Sequence, residues 1–428
     1  MSLLEMRHVM GVAKVRRSLA QYVASQLGYG ELPPLETGLR ERNILYDTVV
    51  GIPLRLEQLI FFTCLRLLDC FLELFTTLPL RLALRAMQAP RSWTKSQVHP
   101  AQIFDFLQAL IVALTTVALY HADVSYLYHL IRGQELLKVY VVFVMLETFD
   151  RLLTAFGSDA MLALHRRAIE AATPAADLAA LVRTLSLLGL DFLLSFTACL
   201  LHVFTLFAQA VALNVAMNSG SNALLTMVIS NNFGEIKSYV FKNYDERKLF
   251  AVAVGDAVER FHKGIGLLWV LTETYRMRVF SADGDAFDLE WLPQFLRTLA
   301  VVFSIEILCD NVKHAFLSKF NAIKPQVYRG FLTQVCRQTL NPRNQLTYQQ
   351  IKFLPQVSAA LFLRAVAHFF WEGHSGLAGP LGLGWRLTEW LAVFLMLVGV
   401  KLGLGWMLVE HAQWVVDRVE RHKTQHAE

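Results

Sequence analysis

Charged residues are scarce in this sequence, making up only 18% of its 428 residues. Soluble globular domains usually carry about 25% charged residues. Hydrophobic residues reach 55%, the mean hydropathy is +0.40, and the apolar residues are gathered in long runs rather than spread evenly. This distribution excludes an ordinary soluble domain and indicates a polytopic membrane protein.

Cysteine is also sparse, with five residues scattered through the chain and no CxxC pair. Such a set argues against a disulfide framework or a cysteine zinc site and is typical of small buried apolar residues. The sequence lacks the HExxH, GxSxG, Walker A and GxGxxG motifs, which carry metalloprotease, hydrolase, nucleotide-binding and dinucleotide-binding chemistry. We therefore predict that the protein is not an enzyme and has no catalytic residues, no cofactor and no metal ion.

Long apolar runs supply the candidate membrane spans. These runs are Leu59–Leu80, Ile103–Tyr120, Leu185–Met217, Leu296–Cys309, Pro355–Trp371 and Leu387–Leu408. Leu185–Met217 would reach about 50 Å as one helix, against a hydrocarbon core of about 30 Å, so it must tilt, project or break. Basic residues on both sides of Leu59–Leu80 also favour a re-entrant or interfacial helix pair there. We predict an all-α polytopic membrane bundle of about six spans, in a range of about four to eight, plus amphipathic or interfacial helices.

The net charge is +5, and the basic residues are concentrated in particular segments of the chain. This distribution is a signal of membrane topology rather than of nucleic-acid binding. Residues 311–353 carry seven basic side chains and no acidic one, so we predict that they are cytosolic and suited to anionic lipid. No secretory signal is apparent, so we expect entry into the membrane through internal spans. The predicted organisation is a cytosolic N-terminal tail at 1–58, a membrane domain at 59–410 with cytosolic segments at 231–263 and 311–353, and a C-terminal tail at 411–428.

Several ionisable residues lie inside the apolar runs or at their edges. They are Arg66, Asp69, Glu73, Asp191, Glu306 and Asp310. The first three are spaced by three and four residues, so they share one helix face on which they can pair. Charges at bilayer depth are expensive and mark functional sites by default. Structural ion pairing between helices is the alternative, and the sequence leaves both interpretations open.

A polar stretch with mixed charges, Asn231–Tyr244, separates strongly apolar segments. Five of its apolar residues recur at helical spacing and would share one face, namely Phe233, Ile236, Val240, Phe241 and Tyr244. Asn232 and Glu235 form a capping-box variant, which predicts that a helix begins there. We predict an interaction surface formed by Asn231, Asn232, Phe233, Glu235, Lys237, Phe241 and Lys242. An ordinary core-facing helix is the alternative interpretation.

The same stretch carries a family resemblance. Ala212-Leu-Asn-Val-Ala216 and Ser230-Asn-Asn-Phe-Gly-Glu-Ile-Lys-Ser-Tyr-Val-Phe-Lys242 closely resemble the core of the transmembrane anterior posterior transformation protein family. Further blocks agree in the expected order, and these include Leu127-Tyr-His-Leu-Ile-Arg-Gly-Gln134, Met145-Leu-Glu-Thr-Phe-Asp-Arg151, Glu259-Arg-Phe261 and Asp310-Asn-Val-Lys-His-Ala-Phe-Leu-Ser-Lys-Phe-Asn321. Together the blocks extend from residue 40 to about 410.

The resemblance implies a multi-pass membrane protein of the endoplasmic reticulum. Animal members of the family are linked to ciliary basal bodies, ciliogenesis and skeletal patterning. Fungal and plant relatives are linked to the folding or quality control of endoplasmic-reticulum proteins, the fungal one with a SUN-domain partner. The resemblance implies no catalytic residue set.

We therefore expect a non-enzymatic scaffold or adaptor of the endoplasmic-reticulum membrane that supports protein folding or trafficking, with a link to cilium or basal-body assembly. Its expected partners are the lipid bilayer, anionic lipid at 311–353, and proteins, a SUN-domain-type protein of the endoplasmic reticulum among them, but not nucleic acid. The competing hypothesis is a transporter, channel or lipid-handling protein that uses the buried carboxylates.

Overall fold

The computed structural model describes residues 45–92, 100–134, 136–173, 177–218, 223–279, 291–341, 351–372 and 380–425. Within these ranges the chain is helical, joined by turns and short irregular links, and forms no β-strand. The prediction of an all-α fold is confirmed.

The described residues form a series of α-helices. In chain order they are α1 (Ile52–Phe75), α2 (Thr77–Ser92), α3 (Pro100–Tyr120), α4 (Val124–Arg132), α5 (Leu136–Ala171), α6 (Leu178–Asn218), α7 (Ala223–Val240), α8 (Glu246–Val279), α9 (Leu292–Phe320), α10 (Gln326–Leu340), α11 (Pro355–Glu372) and α12 (Pro380–Gln425). A π-helical turn, Asp47–Gly51, leads into α1. Most of the predicted tail at 1–58 lies outside the described residues, and its last residues belong to this turn and to α1.

The apolar run Leu59–Leu80 is divided between two helices. Thr76, with φ −119° and ψ −75°, separates α1 from α2. Pro79 lies in the first turn of α2, where its missing N–H removes no helical hydrogen bond. The break agrees with the expected helix pair rather than with a single straight helix.

Two apolar clusters form the core, and α8 contributes to both. The larger cluster packs α8 against α3, α5, α6 and α11, with Phe207 and Trp269 fully buried in edge-to-face contact. The second packs α8 against α1, α10 and α12, around the buried side chains of Leu249 and Leu408. The central position of α8 explains why its polar residues meet partners from several other helices.

Four helices in the described part of the chain are long and apolar enough to cross a membrane. The spans are Gln102–Tyr120 in α3, Leu178–Asn218 in α6, Leu292–Phe320 in α9 and Thr388–Arg421 in α12, while Pro355–Ala367 in α11 is apolar but shorter. Four spans lie within the predicted range of four to eight and below its central value of six. Large apolar side chains on the outside of α12, such as Leu402 and Trp406, suit contact with lipid. Helix α12 also continues to Gln425, through most of the predicted C-terminal tail.

The helix start predicted at Asn232 is wrong. Helix α7 begins at Ala223, so Asn232 lies in its interior. The apolar residues that precede the polar stretch are already part of α7, and no Gly or Pro separates them from it. The helix then ends at Val240, which leaves Phe241 and Tyr244 outside it and unable to share one helical face with Phe233.

Candidate functional site

A large group of buried and half-buried ionisable side chains lies where α5, α7, α8 and α9 meet near the start of α1. We call it the buried ion network, formed by Glu57, Glu147, Arg151, Glu235, Asp256, Glu259, Arg260, Lys263, Glu306, Asp310, Lys313 and His314. Four of the sequence blocks that carry the family resemblance contribute residues to it. Buried charges are stable only when they are paired and hydrogen-bonded, so their partners decide what the network can do.

Lys313 is the most buried cation of the network, with 1% of its surface exposed. Its Nζ atom donates hydrogen bonds to Asp256 Oδ1 at 2.8 Å, Asp310 Oδ1 at 3.0 Å and Glu235 Oε1 at 3.1 Å. These three bonds use the full donor capacity of an ammonium group. Lys313 therefore joins α7, α8 and α9. Because Lys313 is buried within the bundle, it is not one of the basic residues of 311–353 that can face anionic lipid.

Arg151 has the corresponding role on α5. Its guanidinium contacts Glu147 at 3.2 Å, Glu235 at 2.9 Å and Glu259 at 3.1 Å. It also donates a 2.8 Å hydrogen bond to the hydroxyl of Tyr239. The planar fork of Arg allows contacts in several directions at once, so one side chain connects α5, α7 and α8.

The rest of the network extends from α8 to α1, α9 and α10. Arg260 donates two hydrogen bonds to Glu57, at 2.8 and 2.9 Å, and one to Asp310 at 2.9 Å. Lys263 lies 2.6 Å from both Glu259 and Glu306. His314 bridges Asp256 and Tyr328; these connections are 2.8 and 2.9 Å long.

Carboxyl groups outnumber the lysines and arginines of the network, so some of them retain protons. Burial, followed by repulsion from Glu259, raises the pKa of Glu147 to about 9. Burial would also raise the pKa of Glu259, but Lys263 and Arg151 hold it well below its ordinary value. Likewise Lys313 and His314 outweigh the effect of burial and lower the pKa of Asp256 to about 2. Glu147 is therefore neutral at physiological pH, whereas Glu259 and Asp256 are ionised.

The structure distributes the six predicted intramembrane charges among several pairs. Glu306 and Asp310 belong to the buried ion network. Asp69 contacts Arg66 at 2.5 Å and also pairs with Lys401 of α12. The remaining pairs are Glu73 with Arg81 at 2.8 Å and Asp191 with Arg167 at 3.0 Å. All six therefore have charged partners, Arg66 within α1 and the other five on neighbouring helices.

The predicted interaction surface separates into a buried part and an exposed part. Asn231 and Asn232 are buried, and Glu235 belongs to the buried ion network. The exposed members are Phe233, Lys237, Phe241 and Lys242. The exposed part extends further than the sequence indicates, because the end of α9 lies beside it.

An aromatic–basic patch forms where the turn after α7 meets the end of α9. It consists of Phe241, Lys242, Phe316, Lys319 and Phe320, all of them exposed. The ring of Phe320 lies 5.7 Å from that of Phe241 and 6.2 Å from that of Phe316, measured between centroids.

Asn321 fixes the backbone of this turn. Its side chain accepts a 2.9 Å hydrogen bond from the N–H of Tyr244 and donates one of 3.3 Å to the carbonyl of Lys242. The patch is therefore held in place by side chain–backbone hydrogen bonds between two elements.

Two groups of side chains among the described residues have the composition of metal ligands. Glu147, Glu235 and Glu259 form one group, and Asp150, His202 and His262 form the other. The three glutamates all contact the guanidinium of Arg151, which occupies the space between them. The second group lies beside the network, where Asp150 Oδ1 is 2.5 Å from His202 Nε2 and 3.5 Å from His262 Nδ1. No local motif in the sequence indicates this group, since its members come from three different helices.

Comparison with known proteins identifies relatives along most of the chain. The eukaryotic membrane protein family matches residues 98–417. Over 391 residues the chain is 33% identical to Protein POLLEN DEFECTIVE IN GUIDANCE 1 of Arabidopsis thaliana, covering 90% of this chain and 60% of that protein. Over 367 residues it is 34% identical to Transmembrane anterior posterior transformation protein 1 of Mus musculus and to its Homo sapiens homolog, covering 82% of this chain and 62% of each relative.

The chain thus spans about 60% of the length of these curated relatives. No solved structure matches it. The family match covers well over half of the chain, and the relatives exceed 30% identity. The resemblance found in the sequence is therefore confirmed, and the chain belongs to the transmembrane anterior posterior transformation protein family of eukaryotic multi-pass membrane proteins.

Proposed function

We propose that the protein is a non-enzymatic scaffold or adaptor of the endoplasmic-reticulum membrane, which binds protein partners and supports the folding or trafficking of client proteins. The aromatic–basic patch is the observation that carries the proposal. Phe241 is 78% exposed and Phe320 is 57% exposed. Grouped, exposed aromatic side chains are typical of protein or membrane interaction sites.

The charge beside the aromatic rings indicates the chemistry of the partner. Lys242 and Lys319 are both exposed within the patch. A partner segment that combines apolar side chains with acidic ones would contact rings and ammonium groups together. Anionic lipid is the other ligand class that suits this charge, through Lys319 and the exposed Lys324 and Arg329 that follow it.

The buried ion network supports a structural role beneath this surface. Lys313 lies three positions before Phe316 on α9, and Glu235 lies shortly before Phe241. Their contact, at 3.1 Å, ties together the two elements that carry the patch. A partner surface needs such a rigid base, since a preorganised site loses less entropy on binding.

The family resemblance supports the compartment and the biological role that we propose. The resemblance implies the endoplasmic reticulum, a SUN-domain-type partner and a link to ciliogenesis or basal-body assembly. The names of the relatives refer to anterior–posterior transformation and to pollen guidance. Since this chain spans about 60% of those proteins, these roles are proposals for it.

Quantitative co-purification from native membranes tests the scaffold proposal. The patch variant combines Phe241→Ala and Phe320→Ala with Lys242→Glu. The control is Trp406→Ala, which removes a ring that is 71% exposed on the outside of α12. We expect the patch variant to lose specific partner proteins that the control retains. An unchanged partner set at equal expression would contradict the proposal.

Transport of ions, protons or lipids is the second candidate function, and one observation favours it. A cavity of about 320 Å³ reaches the buried ion network and is lined by Asp150, Arg151, Asp256 and Glu259 among others. Carboxylates that face a cavity in a membrane protein are typical of ion and proton pathways. Purified protein in liposomes would be assayed for ion flux and lipid movement, with Glu259→Gln as the test variant and Asp69→Asn as a carboxylate control outside the cavity. Flux that the Glu259 variant loses and the Asp69 variant retains would rank transport above the scaffold.

A further inference from the structure

We propose that Asp150, His202 and His262 form a binding site for one divalent transition-metal ion of the zinc or ferrous-iron class. The three residues come from α5, α6 and α8, and all are buried. Their potential ligand atoms all lie within 4.8 Å of one another. Two imidazoles and one carboxylate are a recurrent ligand set for Zn²⁺ and for non-haem Fe²⁺.

Unsatisfied polar atoms give the second, independent observation. Neither ring nitrogen of His262 has a hydrogen-bond partner, although the residue is only 5% exposed. His262 Nδ1 lies near Asp150 at 3.5 Å without hydrogen-bond geometry. A buried polar group without a partner costs about 1–3 kcal/mol and calls for a bound water or ion. A nitrogen of His262 can therefore bind a metal ion without breaking a hydrogen bond. His314 differs, because both of its ring nitrogens contact partners.

The spacing of the ligand atoms agrees with this proposal. Metal–ligand bonds of about 2.0–2.1 Å in tetrahedral geometry place neighbouring ligand atoms about 3.3 Å apart. The 3.5 Å separation of Asp150 Oδ1 from His262 Nδ1 is already close to this value. The 2.5 Å contact between Asp150 and His202 is a hydrogen bond, so it would open by about 1 Å as the ion replaces its proton.

The surroundings leave room for further ligands. A cavity of about 40 Å³ adjoins the site and is lined by Asp150, His262, Glu147 and Gln209 among others. One water needs about 10–15 Å³ of such space, so the remaining coordination positions can be filled by water. An ion here would also tie α5, α6 and α8 together beside the buried ion network.

The neighbouring glutamates do not offer an equivalent site. Glu147, Glu235 and Glu259 all contact the guanidinium of Arg151, whose positive charge occupies the position that a metal ion would take. Asp150 has only the two histidines around the contacting oxygen. The metal proposal therefore rests on the histidine-containing group alone.

The test measures metal content in the full-length protein, purified in detergent without chelators and under anaerobic conditions. Inductively coupled plasma mass spectrometry would quantify zinc, iron and manganese per chain for the wild type, His262→Asn, Asp150→Asn and the control His314→Gln. The control alters another buried histidine that contacts an aspartate, outside the proposed ligand set. Added Co²⁺ serves as an optical probe of the metal-depleted protein, because its visible absorption reports coordination by protein ligands.

We expect about one transition-metal ion per chain in the wild type and in the control, with at least a tenfold loss in both ligand variants. We also expect Co²⁺ to develop absorption in the wild type and to raise its melting temperature, with neither effect in His262→Asn. Absence of metal together with absence of Co²⁺ absorption in the folded wild type would overturn the proposal. Equal metal content in the wild type and the folded ligand variants would overturn it as well. Each variant must elute as a monodisperse peak and retain its helical circular dichroism. If Asp150→Asn fails to fold, Asp150→Glu takes its place; it keeps a carboxylate ligand and should retain part of the metal content.

Discussion

Replacing Lys313 by Met tests the buried ion network at its most buried cation. Met keeps the length and apolar stem of the side chain, so the substitution removes the charge with little change in volume. Three carboxylates, those of Glu235, Asp256 and Asp310, then lose the ammonium group that they share at 2.8–3.1 Å. Repulsion among them must be relieved by protonation, by entry of water or by separation of α7, α8 and α9.

The expected loss of stability is large. Removing one member of a buried ion pair typically costs about 3–5 kcal/mol, because the remaining charge stays buried without compensation. Lys313 has three such partners and is 1% exposed, so we place Lys313→Met at the upper end, about 4–5 kcal/mol. Restoring charge balance should recover part of this loss. We therefore expect the double variant Lys313→Met/Asp310→Asn to be more stable than Lys313→Met by about 1–3 kcal/mol.

The direction of the pH dependence follows from the same contacts. Without the ammonium group, the pKa of Asp256 in the folded protein rises, because burial then outweighs the remaining attraction to His314. A group whose folded-state pKa is raised contributes stability at low pH that is lost as the pH rises. The destabilisation of Lys313→Met should therefore grow between about pH 5 and pH 8.

Unfolding of the purified protein in mixed micelles by sodium dodecyl sulfate, followed by circular dichroism, would measure these differences. Lys319→Met is the matched control, since Lys319 lies on the same helix and is exposed. Its effect should stay within about 0.5 kcal/mol. If Lys313→Met unfolds at the same detergent fraction as the control, the network is not the compact, paired arrangement described above.

Three further substitutions, one of them with a matched control, test separate parts of the fold. Burial and repulsion from a neighbouring glutamate raise the pKa of Glu147 to about 9, so this side chain is neutral at physiological pH. Glu147→Gln replaces it with a side chain of similar size that is neutral at every pH. The wild type should lose stability as the pH rises through that value and the variant should not, as thermal unfolding between about pH 6 and pH 9 would reveal. Gly157→Ala would place its Cβ 2.6 Å from the buried Leu354 and should destabilise by about 1–3 kcal/mol, whereas Gly189→Ala, with nothing within 4 Å, should be neutral or stabilising in the same unfolding assay. Arg364→Met should make the end of α3 exchange its amide hydrogens faster, because Arg364 donates to two carbonyls there; unchanged protection would exclude this anchoring role.

Hydropathy was sufficient to predict the fold class and most of the spanning helices. The runs beginning near residues 103, 185, 296 and 387 all coincide with helices that can cross a membrane. The length of an apolar run is a local property, so it can be read from a single sequence. The bounds were less accurate, because helices such as α9 continue beyond the apolar run into residues that are polar but buried.

Contacts between helices could not be predicted from local pattern. Lys313 belongs to a block of seven basic residues without an acid, which favours an exposed position. Its partner Glu235 is 78 residues away along the chain, and Arg151 and Glu259 are separated by 108. The proposed metal-ligand group of Asp150, His202 and His262 has no sequence signal for the same reason.

The stretch Asn231–Tyr244 illustrates both outcomes. Its mixture of exposed apolar and basic residues was visible in the sequence and contributes to the aromatic–basic patch. The neighbouring contribution of Phe316 and Phe320 depends on how α9 ends beside it. The buried positions of Asn231 and Asn232 depend on the helix that precedes them, which the capping signal at Asn232 misplaced.

Site-specific photocrosslinking tests the proposed scaffold function most directly. A photoreactive amino acid at Phe241, in the patch, would be compared in native membranes with one at Trp406, on the outer face of α12; these side chains are 78% and 71% exposed. If the patch is a partner surface, the probe at residue 241 yields discrete protein adducts that Lys242→Glu diminishes, while the probe at residue 406 yields lipid adducts. Lipid adducts alone at both positions would contradict the scaffold proposal.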